Sequence, residues 1–156
     1  MTDAEIQAVL VDRSVLALTL WGEARGEPIE GRIAVGCVIR NRLAMPHRFR
    51  AAAATYRAIC LAPHQFSCWA PTGGAENYAA VMRLAARMAQ GRPLEDLRLD
   101  ECLWLADGLM SGVVLDRTQG ATMYWAPKAM LPPGRVPTWA EGRTTEVIGS
   151  QVFLNA

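Results

Sequence analysis

The spacing of apolar residues constrains this chain most strongly. Apolar positions recur with helical periodicity as far as Gly112, and the pattern then changes character. It predicts helices from about residue 3 to Glu23, from Pro28 to before Pro46, and over 51–60, 75–90 and 96–111, with a loop over 61–74. The segments 121–125 and 146–154 are typical of strands, and prolines separate them. We therefore expect one domain over residues 1–156, mainly α with a small β-hairpin element (α+β).

Local signals place the ends of the first two helices. Thr2 and Glu5 have the spacing of a capping box, which predicts that a helix begins near residue 3. Asp12 is a good N-cap residue and predicts a break that would divide this segment into two helices. Gly26 suits the position after a helix end, and Pro28 suits the first turn of the next helix.

Charge and hydropathy exclude two classes of partner. The chain has 156 residues, with 16 basic and 15 acidic side chains, so no basic surface is expected to follow a nucleic acid backbone. The longest apolar stretches, such as Val15 to Trp21, are too short to cross a bilayer, which predicts no membrane insertion. The first residues contain neither a basic region nor a long apolar region, so no secretory signal is expected.

Cysteine and histidine patterns argue against metal and thiol chemistry. The four cysteines form no Cys-x-x-Cys pair, and without a secretory signal they are expected to be reduced and mostly buried. A Cys60–Cys68 bridge across a short loop stays open. Only His47 and His64 occur, neither in a His-Glu-x-x-His motif, so no metal and no cofactor is predicted. A cysteine peptidase pairing Cys68 with His64 lacks a nucleophile signature.

Glu23 is the strongest candidate for chemistry. On a helix it continues the apolar stripe of Leu16 and Leu20, where a carboxyl group loses hydration and its charged form is disfavoured. The partial negative charge of the helix C-terminus acts in the same direction. A carboxyl group that retains its proton is what general acid catalysis requires. The alternative is a solvated helix-end glutamate paired with Arg25.

Four stretches of sequence carry a family resemblance. They are the segments EARGEP, EGRIAV and NR within residues 23–42, QFSCW at 65–69, DRTQGATMY at 116–124 and IGSQVF at 148–153. Together, and in this order, they resemble the SleB-type cell wall hydrolases, which include the spore cortex-lytic enzymes. The resemblance covers about Val15 to Leu154, which is nearly the whole chain.

The resemblance implies a lysozyme-like, lytic-transglycosylase-like domain with a deep groove that binds peptidoglycan. The implied target is the β-1,4 bond between N-acetylmuramic acid (MurNAc) and N-acetylglucosamine (GlcNAc), with Glu23 as the acid. A lytic transglycosylase needs only this glutamate, because the muramoyl 6-hydroxyl then closes a 1,6-anhydro ring. The alternative, a hydrolytic muramidase, needs a second carboxylate across the bond, and the candidates are Glu27, Glu30 and Asp116.

Aromatic and polar residues near the predicted loops suit a sugar-binding groove. Flat rings stack on pyranose faces, and amide or hydroxyl side chains bond the acetamido and hydroxyl groups. One departure from the family pattern is Met123, at a position where relatives often carry a histidine. The predicted substrate-binding residues are Gln65, Phe66, Ser67, Trp69, Thr122 and Tyr124.

Three further expectations concern the class of protein, its delivery to the cell wall and its oligomeric state. A non-catalytic wall-binding module would not require a desolvated acid, so Glu23 argues against that alternative. A compact chain without a secretory signal is typical of a phage or phage-like endolysin. Such a protein is made in the cytoplasm and causes cell lysis by acting on the wall after a holin opens the membrane. We expect a monomer.

Overall fold

The computed structural model describes residues 1–72 and 75–156, so the predicted loop residues Gly73 and Gly74 lie outside it. Five α-helices, four 3-10 turns and three short strands make up this part of the chain, which confirms the expected mainly helical α+β class. The helices are α1 (Asp3–Ala24), α2 (Ile29–Arg42), α3 (Tyr56–Leu61), α4 (Ala75–Ala89) and α5 (Leu97–Met110). The strands are β1 (Met123–Trp125), β2 (Glu146–Ile148) and β3 (Gln151–Leu154).

Helix α1 begins with the predicted capping box. The Thr2 amide donates to Glu5 Oε2 at 2.6 Å, and the Glu5 amide donates to Thr2 Oγ1 at 3.2 Å. The predicted break at Asp12 is wrong, since α1 continues through this residue to Ala24. The Asp12 carboxylate instead accepts a hydrogen bond from the Arg57 amide at 3.2 Å, so a tertiary contact uses the oxygen that a helix cap would have used.

The other helix boundaries differ from the predicted ones by a few residues. Pro28 is the N-cap of α2 rather than a residue of its first turn. The helix predicted over 51–60 begins only at Tyr56, because Thr55 caps it by accepting from the Ala58 amide at 3.2 Å. Asp96 caps α5 in the same way, accepting from the Leu99 amide at 2.9 Å.

The sheet has the antiparallel order β1-β3-β2. The segment predicted as one strand over 146–154 is in fact two strands, β2 and β3, joined by the pair Gly149 and Ser150. Gly149 has φ +61°, a conformation that two-residue hairpin turns require and that glycine adopts without strain. In the other pairing, Tyr124 lies opposite Phe153, so the two side chains share one face of the sheet.

Helix α1 passes through the centre of the domain and contacts each of the other four helices. Its second half is buried, with Leu16 and Leu20 fully inaccessible, whereas its first turns are exposed. Gly36 of α2 packs directly against the Leu109 side chain of α5, which brings these two helices close together. The burial of α1 fixes its C-terminal end, and therefore Glu23, beside the sheet and the 67–69 turn.

The four cysteines, Cys37, Cys60, Cys68 and Cys102, are buried free thiols. Burial is the main cause that raises the pKa of Cys60 to about 12, so this thiol stays protonated. Over residues 1–72 and 75–156, no helix has the length and apolarity that a bilayer span requires. In the same part of the chain, no three His, Cys, Asp or Glu residues are grouped to hold a metal ion.

Candidate active site

The Glu23 carboxylate lies at the C-terminal end of α1, half-buried between a loop and the sheet. The Cys68 amide donates to its Oε1 atom at 3.1 Å, and the Tyr124 hydroxyl donates to its Oε2 atom at 3.4 Å. Arg25, which could have paired with Glu23, instead donates to Asn77 Oδ1 at 2.6 Å and lies over the Trp21 ring. Glu23 is therefore held by two neutral donors.

A cleft of about 540 Å³ opens beside this carboxylate. Its walls come from the end of α1, the end of α2, the 64–72 loop and strand β1. Among the described residues that line it, Glu23 is the one acidic side chain. The lining residues are Glu23, Arg42, His64, Gln65, Phe66, Ser67, Ala70, Thr72, Met123 and Tyr124.

Close packing on α1 fixes the turn that carries the Cys68 amide. A Cβ atom placed on Gly22 would lie 2.6 Å from Cys68 Cβ, so only glycine lets the turn approach this closely. The neighbouring Trp69 indole donates to Thr19 Oγ1 at 2.9 Å, which provides a second attachment to the same helix. Both contacts hold the Cys68 N–H group in line with the carboxylate.

Tyr124 reaches Glu23 from strand β1. Its ring stacks on Phe153, with centroids 5.6 Å apart and an interplanar angle of 26°. Burial, and next the negative charge of Glu23, raise the pKa of Tyr124 well above its ordinary value. The phenol is therefore protonated at neutral pH and available as a hydrogen-bond donor.

Arg42 lies at the floor of the cleft and is only 5% exposed. Its Nε atom donates to the Thr122 carbonyl at 2.8 Å, and Nη1 donates to Gln65 Oε1 at 3.3 Å. The guanidinium carbon is 4.3 Å from the centre of the Phe49 ring and 5.2 Å from that of Phe66. Burial lowers the pKa of Arg42 from its usual value, yet an arginine remains charged.

The structure brings four of the six predicted substrate-binding residues into the cleft, namely Gln65, Phe66, Ser67 and Tyr124. Trp69 is half-buried, and its indole N–H is bonded to Thr19 rather than directed into the cleft. The buried Thr122 hydroxyl accepts from the Ala156 amide at 3.2 Å. Trp69 and Thr122 thus support the cleft from behind.

None of the three candidates for a second carboxylate is among the described residues that line this cleft. Glu27 accepts hydrogen bonds from the amide and the hydroxyl of Ser150, in the turn between β2 and β3. Glu30 is exposed and lines a different cleft, together with Arg117. The structure therefore does not bring Glu27 or Glu30 together with Glu23.

Asp116 organises the loop that leads into strand β1. Its carboxylate accepts from the amide and hydroxyl of Thr118 at 2.8 and 2.6 Å, from the Gly120 amide at 3.0 Å and from Asn41 Nδ2 at 2.9 Å. Burial alone would raise the pKa of Asp116, but these hydrogen bonds outweigh it and lower the pKa below the ordinary range. This pattern is typical of a structural carboxylate.

Cys68 and His64 do not form a nucleophilic pair. The Cys68 thiol is fully buried, and burial, followed by the charge of Glu23, raises its pKa far above the usual value. A nucleophilic cysteine needs the opposite shift, toward the thiolate. His64 is exposed at the mouth of the cleft.

Sequence reasoning missed two groups of this site. Arg42 enters the sequence prediction only as part of a family motif, because α2 also contains Arg32 and Arg40 and residue type alone does not distinguish the arginine that lines the cleft. The Cys68 amide was missed because a backbone donor has no residue-type signature. Only the path of the chain shows that this N–H group meets Glu23.

The site presents a carboxyl group at a helix end, facing a cleft and held by neutral donors, which is an arrangement compatible with acid catalysis of glycosidic bond cleavage. The sequence profile described as Cell Wall Hydrolase matches residues 26–154, so the chain belongs to the cell wall hydrolase family. The match begins three residues after Glu23, and it therefore assigns no role to that side chain.

Two similar proteins agree with this family. The catalytic domain of the germination-specific lytic transglycosylase SleB from Bacillus anthracis shares the fold, with a TM-score of 0.55 and 22% identity over 91% of this chain and 92% of that domain. The spore cortex-lytic enzyme of Bacillus subtilis (strain 168) is 54% identical over 35 residues, which are 22% of this chain and only 12% of that protein's length. The lysozyme-like fold and the cell wall hydrolase family predicted from the sequence are confirmed.

Proposed function

We propose that this chain cleaves the β-1,4 bond between MurNAc and GlcNAc as a lytic transglycosylase, with Glu23 as general acid and base. The proposal rests on one observation: among the described residues that line the cleft, Glu23 alone carries a carboxyl group. A hydrolytic mechanism needs two carboxyl groups across the scissile bond. Glu27 and Asp116 are instead engaged by Ser150 and Thr118, outside the cleft.

The two hydrogen bonds of Glu23 suggest which oxygen carries the proton. The Cys68 amide is a permanent donor and occupies Oε1 at 3.1 Å, so Oε1 is the acceptor oxygen. Oε2 accepts the longer bond, 3.4 Å from the Tyr124 hydroxyl, and in this proposal it is the oxygen that delivers the catalytic proton. In the first step this proton passes to the glycosidic oxygen, the bond from that oxygen to C1 of MurNAc breaks, and GlcNAc leaves as the alcohol.

The second step returns the proton to the enzyme. The carboxylate formed on Glu23 accepts the proton of the MurNAc 6-hydroxyl, whose oxygen attacks C1 and closes the 1,6-anhydro ring. No water enters the products, and Glu23 recovers its starting state. The Tyr124 phenol stabilises the carboxylate between the two steps, because its raised pKa keeps it a donor.

Substrate binding follows from the cleft walls. Ser67 is exposed in the lining and presents a hydroxyl to the sugar, and the Tyr124 ring supplies a flat wall beside the acid. Gln65 and Phe66 also line the cleft, but both contact Arg42 and contribute by holding it. In this proposal Trp69 and Thr122 act indirectly, through the turn and the strand that they anchor.

Mass spectrometry of released muropeptides tests the proposal on purified peptidoglycan. The wild-type chain should release products lighter than hydrolysed muropeptides by one water, and Glu23→Gln should reduce their release by at least about 100-fold, as losses of general acid catalysts do. Glu27→Gln is the matched control, because it makes the same chemical change four residues later and outside the cleft. It should keep most of the activity.

Three results would contradict the proposal, in whole or in part. Undiminished cleavage by Glu23→Gln would remove this residue from the mechanism. Reducing-end products lost in Glu23→Gln would keep the acid but establish a muramidase, and would require a second carboxylate that joins the site when substrate binds. Sedimentation with peptidoglycan without any cleavage would identify a wall-binding module instead.

The endolysin role stays a prediction from the sequence. Expression in the cytoplasm of a Gram-negative host, with and without a co-expressed holin, tests it directly. Lysis that depends on the holin would support release through the membrane, and lysis without it would contradict that route. Light scattering after size-exclusion chromatography tests the expected monomer.

A further inference from the structure

Arg42 forms no salt bridge among residues 1–72 and 75–156, although the nearby charge of Glu23 favours its charged form. No carboxylate lies within 4.0 Å of its guanidinium, although the side chain is 95% buried. A buried cation is costly unless hydrogen bonds or opposite charges stabilise it. Arg42 nevertheless lines the cleft that contains Glu23, which indicates that part of its bonding is completed from the cleft side.

Within residues 1–72 and 75–156, one end of the guanidinium has no oxygen acceptor. Nε and Nη1 donate to the oxygens of Thr122 and Gln65. The acceptor of Nη2 in this part of the chain is the sulfur of Met123, at 3.9 Å. A thioether is a weak acceptor, so the N–H groups of Nη2 retain most of their capacity to bind another oxygen.

The direction of this donor is fixed before any substrate binds. The rings of Phe49 and Phe66 restrict the guanidinium plane, and the two oxygen acceptors hold its inner edge. A side chain already held in its bound orientation loses little conformational entropy when a ligand arrives. Arg42 therefore has the properties of a built recognition group.

We propose that Arg42 Nη2 binds an amide carbonyl oxygen of the glycan substrate. This inference rests on the proposed function and names a substrate contact that it leaves open. Arginine only donates, and an amide carbonyl only accepts, so the two match better than arginine and a hydroxyl, which also needs an acceptor. Peptidoglycan offers such an oxygen in two places, the acetamido group of each amino sugar and the lactyl amide that joins MurNAc to its stem peptide.

Binding to an inactive chain separates recognition from cleavage. Soluble glycan fragments would be titrated calorimetrically into Glu23→Gln and into Glu23→Gln combined with Arg42→Met. Methionine keeps an unbranched apolar chain between the two phenylalanine rings and removes every donor. The dissociation constant for the intact fragment should rise about tenfold to hundredfold, as expected for a hydrogen bond to a charged group.

Modified fragments identify which amide is bound. N-deacetylated fragments lack the acetamido carbonyl, and fragments without stem peptides carry a lactyl carboxylate in place of the amide. The modification that alters binding when Arg42 is present, and has little effect on the Arg42→Met chain, marks the group that Arg42 contacts. If both modifications change binding equally with and without Arg42, the inference is overturned.

A second pair of variants keeps the test valid if Arg42→Met does not fold. Met123→Gln places a strong amide acceptor beside Nη2 and should compete with the substrate, raising the dissociation constant by about tenfold. Met123→Leu has a similar volume and adds no acceptor, so it should weaken binding much less. Equal affinities for the Gln and Leu variants, both with an unchanged unfolding temperature, would overturn the inference.

Failure of this inference is distinguishable from failure of the proposed function. Cleavage of the fragments by the Glu23→Gln chain during the titration would refute Glu23 as the acid, whatever the Arg42 variants show. Loss of cleavage in Glu23→Gln, combined with Arg42 and Met123 variants that bind normally, would refute only the role of Arg42.

Discussion

Replacing Gly22 by alanine tests whether close packing of Cys68 on α1 positions the Glu23 carboxylate. The new Cβ atom would lie 2.6 Å from Cys68 Cβ, 2.8 Å from its Sγ and 2.9 Å from Val81 Cγ2. Cys68 Cβ is attached directly to the backbone, so rotating a side chain cannot relieve the first contact. The 67–69 turn itself must move away from α1.

The size of the effect follows from these distances. Cys68 Cβ must retreat by roughly 0.8 Å to reach the 3.4 Å of an ordinary contact. Overpacking of this kind costs up to about 3 kcal/mol, and the better helix propensity of alanine returns about 1 kcal/mol, which leaves a net loss of about 2 kcal/mol. For a chain of this length that loss lowers the unfolding temperature by about 4–8 °C.

The loss of activity should be larger than the loss of stability alone would explain. The same displacement lengthens the 3.1 Å bond from the Cys68 amide to Glu23 Oε1 beyond hydrogen-bonding range. Loss of a hydrogen bond to a charged group reduces the turnover number by about tenfold or more. Circular dichroism would measure unfolding, and muropeptide release at a temperature where both chains are folded would measure turnover.

Gly26→Ala is the matched control, since a Cβ atom on Gly26 would meet nothing within 4 Å. It makes the same chemical change four residues further along the chain and should alter stability by less than about 0.5 kcal/mol. If Gly22→Ala unfolds at the same temperature as Gly26→Ala and cleaves peptidoglycan as fast, close packing of Cys68 does not position the Glu23 carboxylate as described.

Three other outcomes are expected. Tyr124→Phe should lower the turnover number by about tenfold but leave the unfolding temperature nearly unchanged. Phenylalanine keeps the stacking on Phe153 and loses only the 3.4 Å contact to Glu23. A turnover number equal to that of the wild-type chain would refute the role of the phenol. Asp116→Asn should lower the free energy of unfolding by about 1 kcal/mol at pH 6, measured with urea. The pKa of Asp116 in the folded chain lies below its ordinary value of 3.8, so the difference in unfolding free energy between the two chains is complete at pH values above 3.8. It should shrink as the pH falls below 3.8, because Asp116 then becomes protonated. A difference that stays constant with pH would contradict the structural role of the Asp116 carboxylate. The four buried thiols should react with a disulfide reagent only after denaturation, without prior reduction, whereas fewer than four reactive thiols in the denatured chain would indicate a bridge.

Local features of the fold were predictable from the sequence because their causes lie within a few residues. The capping box of Thr2 and Glu5, and the helix end before Gly112 with its φ of +78°, depend on neighbouring backbone groups. The break expected at Asp12 was wrong for the opposite reason. The partner that decides its role, the Arg57 amide, is 45 residues away.

The hairpin within 146–154 shows a second limit. A run of strand-forming residues indicates β structure but does not fix where the chain reverses. The reversal occurs at Gly149 and Ser150, and the Glu27 carboxylate binds this turn from a distance of 123 residues. Without that contact in view, the sequence offered Glu27 equally well as a catalytic partner of Glu23.

The helical class, the family motifs and the position of Glu23 at a helix end were predictable from the sequence, since each is a property of contiguous residues. The surroundings of that carboxylate depend on the tertiary structure. Its two donors come from residues 45 and 101 positions away, and they meet only because α1 is buried between the loop and the sheet. The orientation and the burial of a carboxyl group depend on such distant contacts, because hydrogen bonds and burial act over a few ångströms of space and not along the chain.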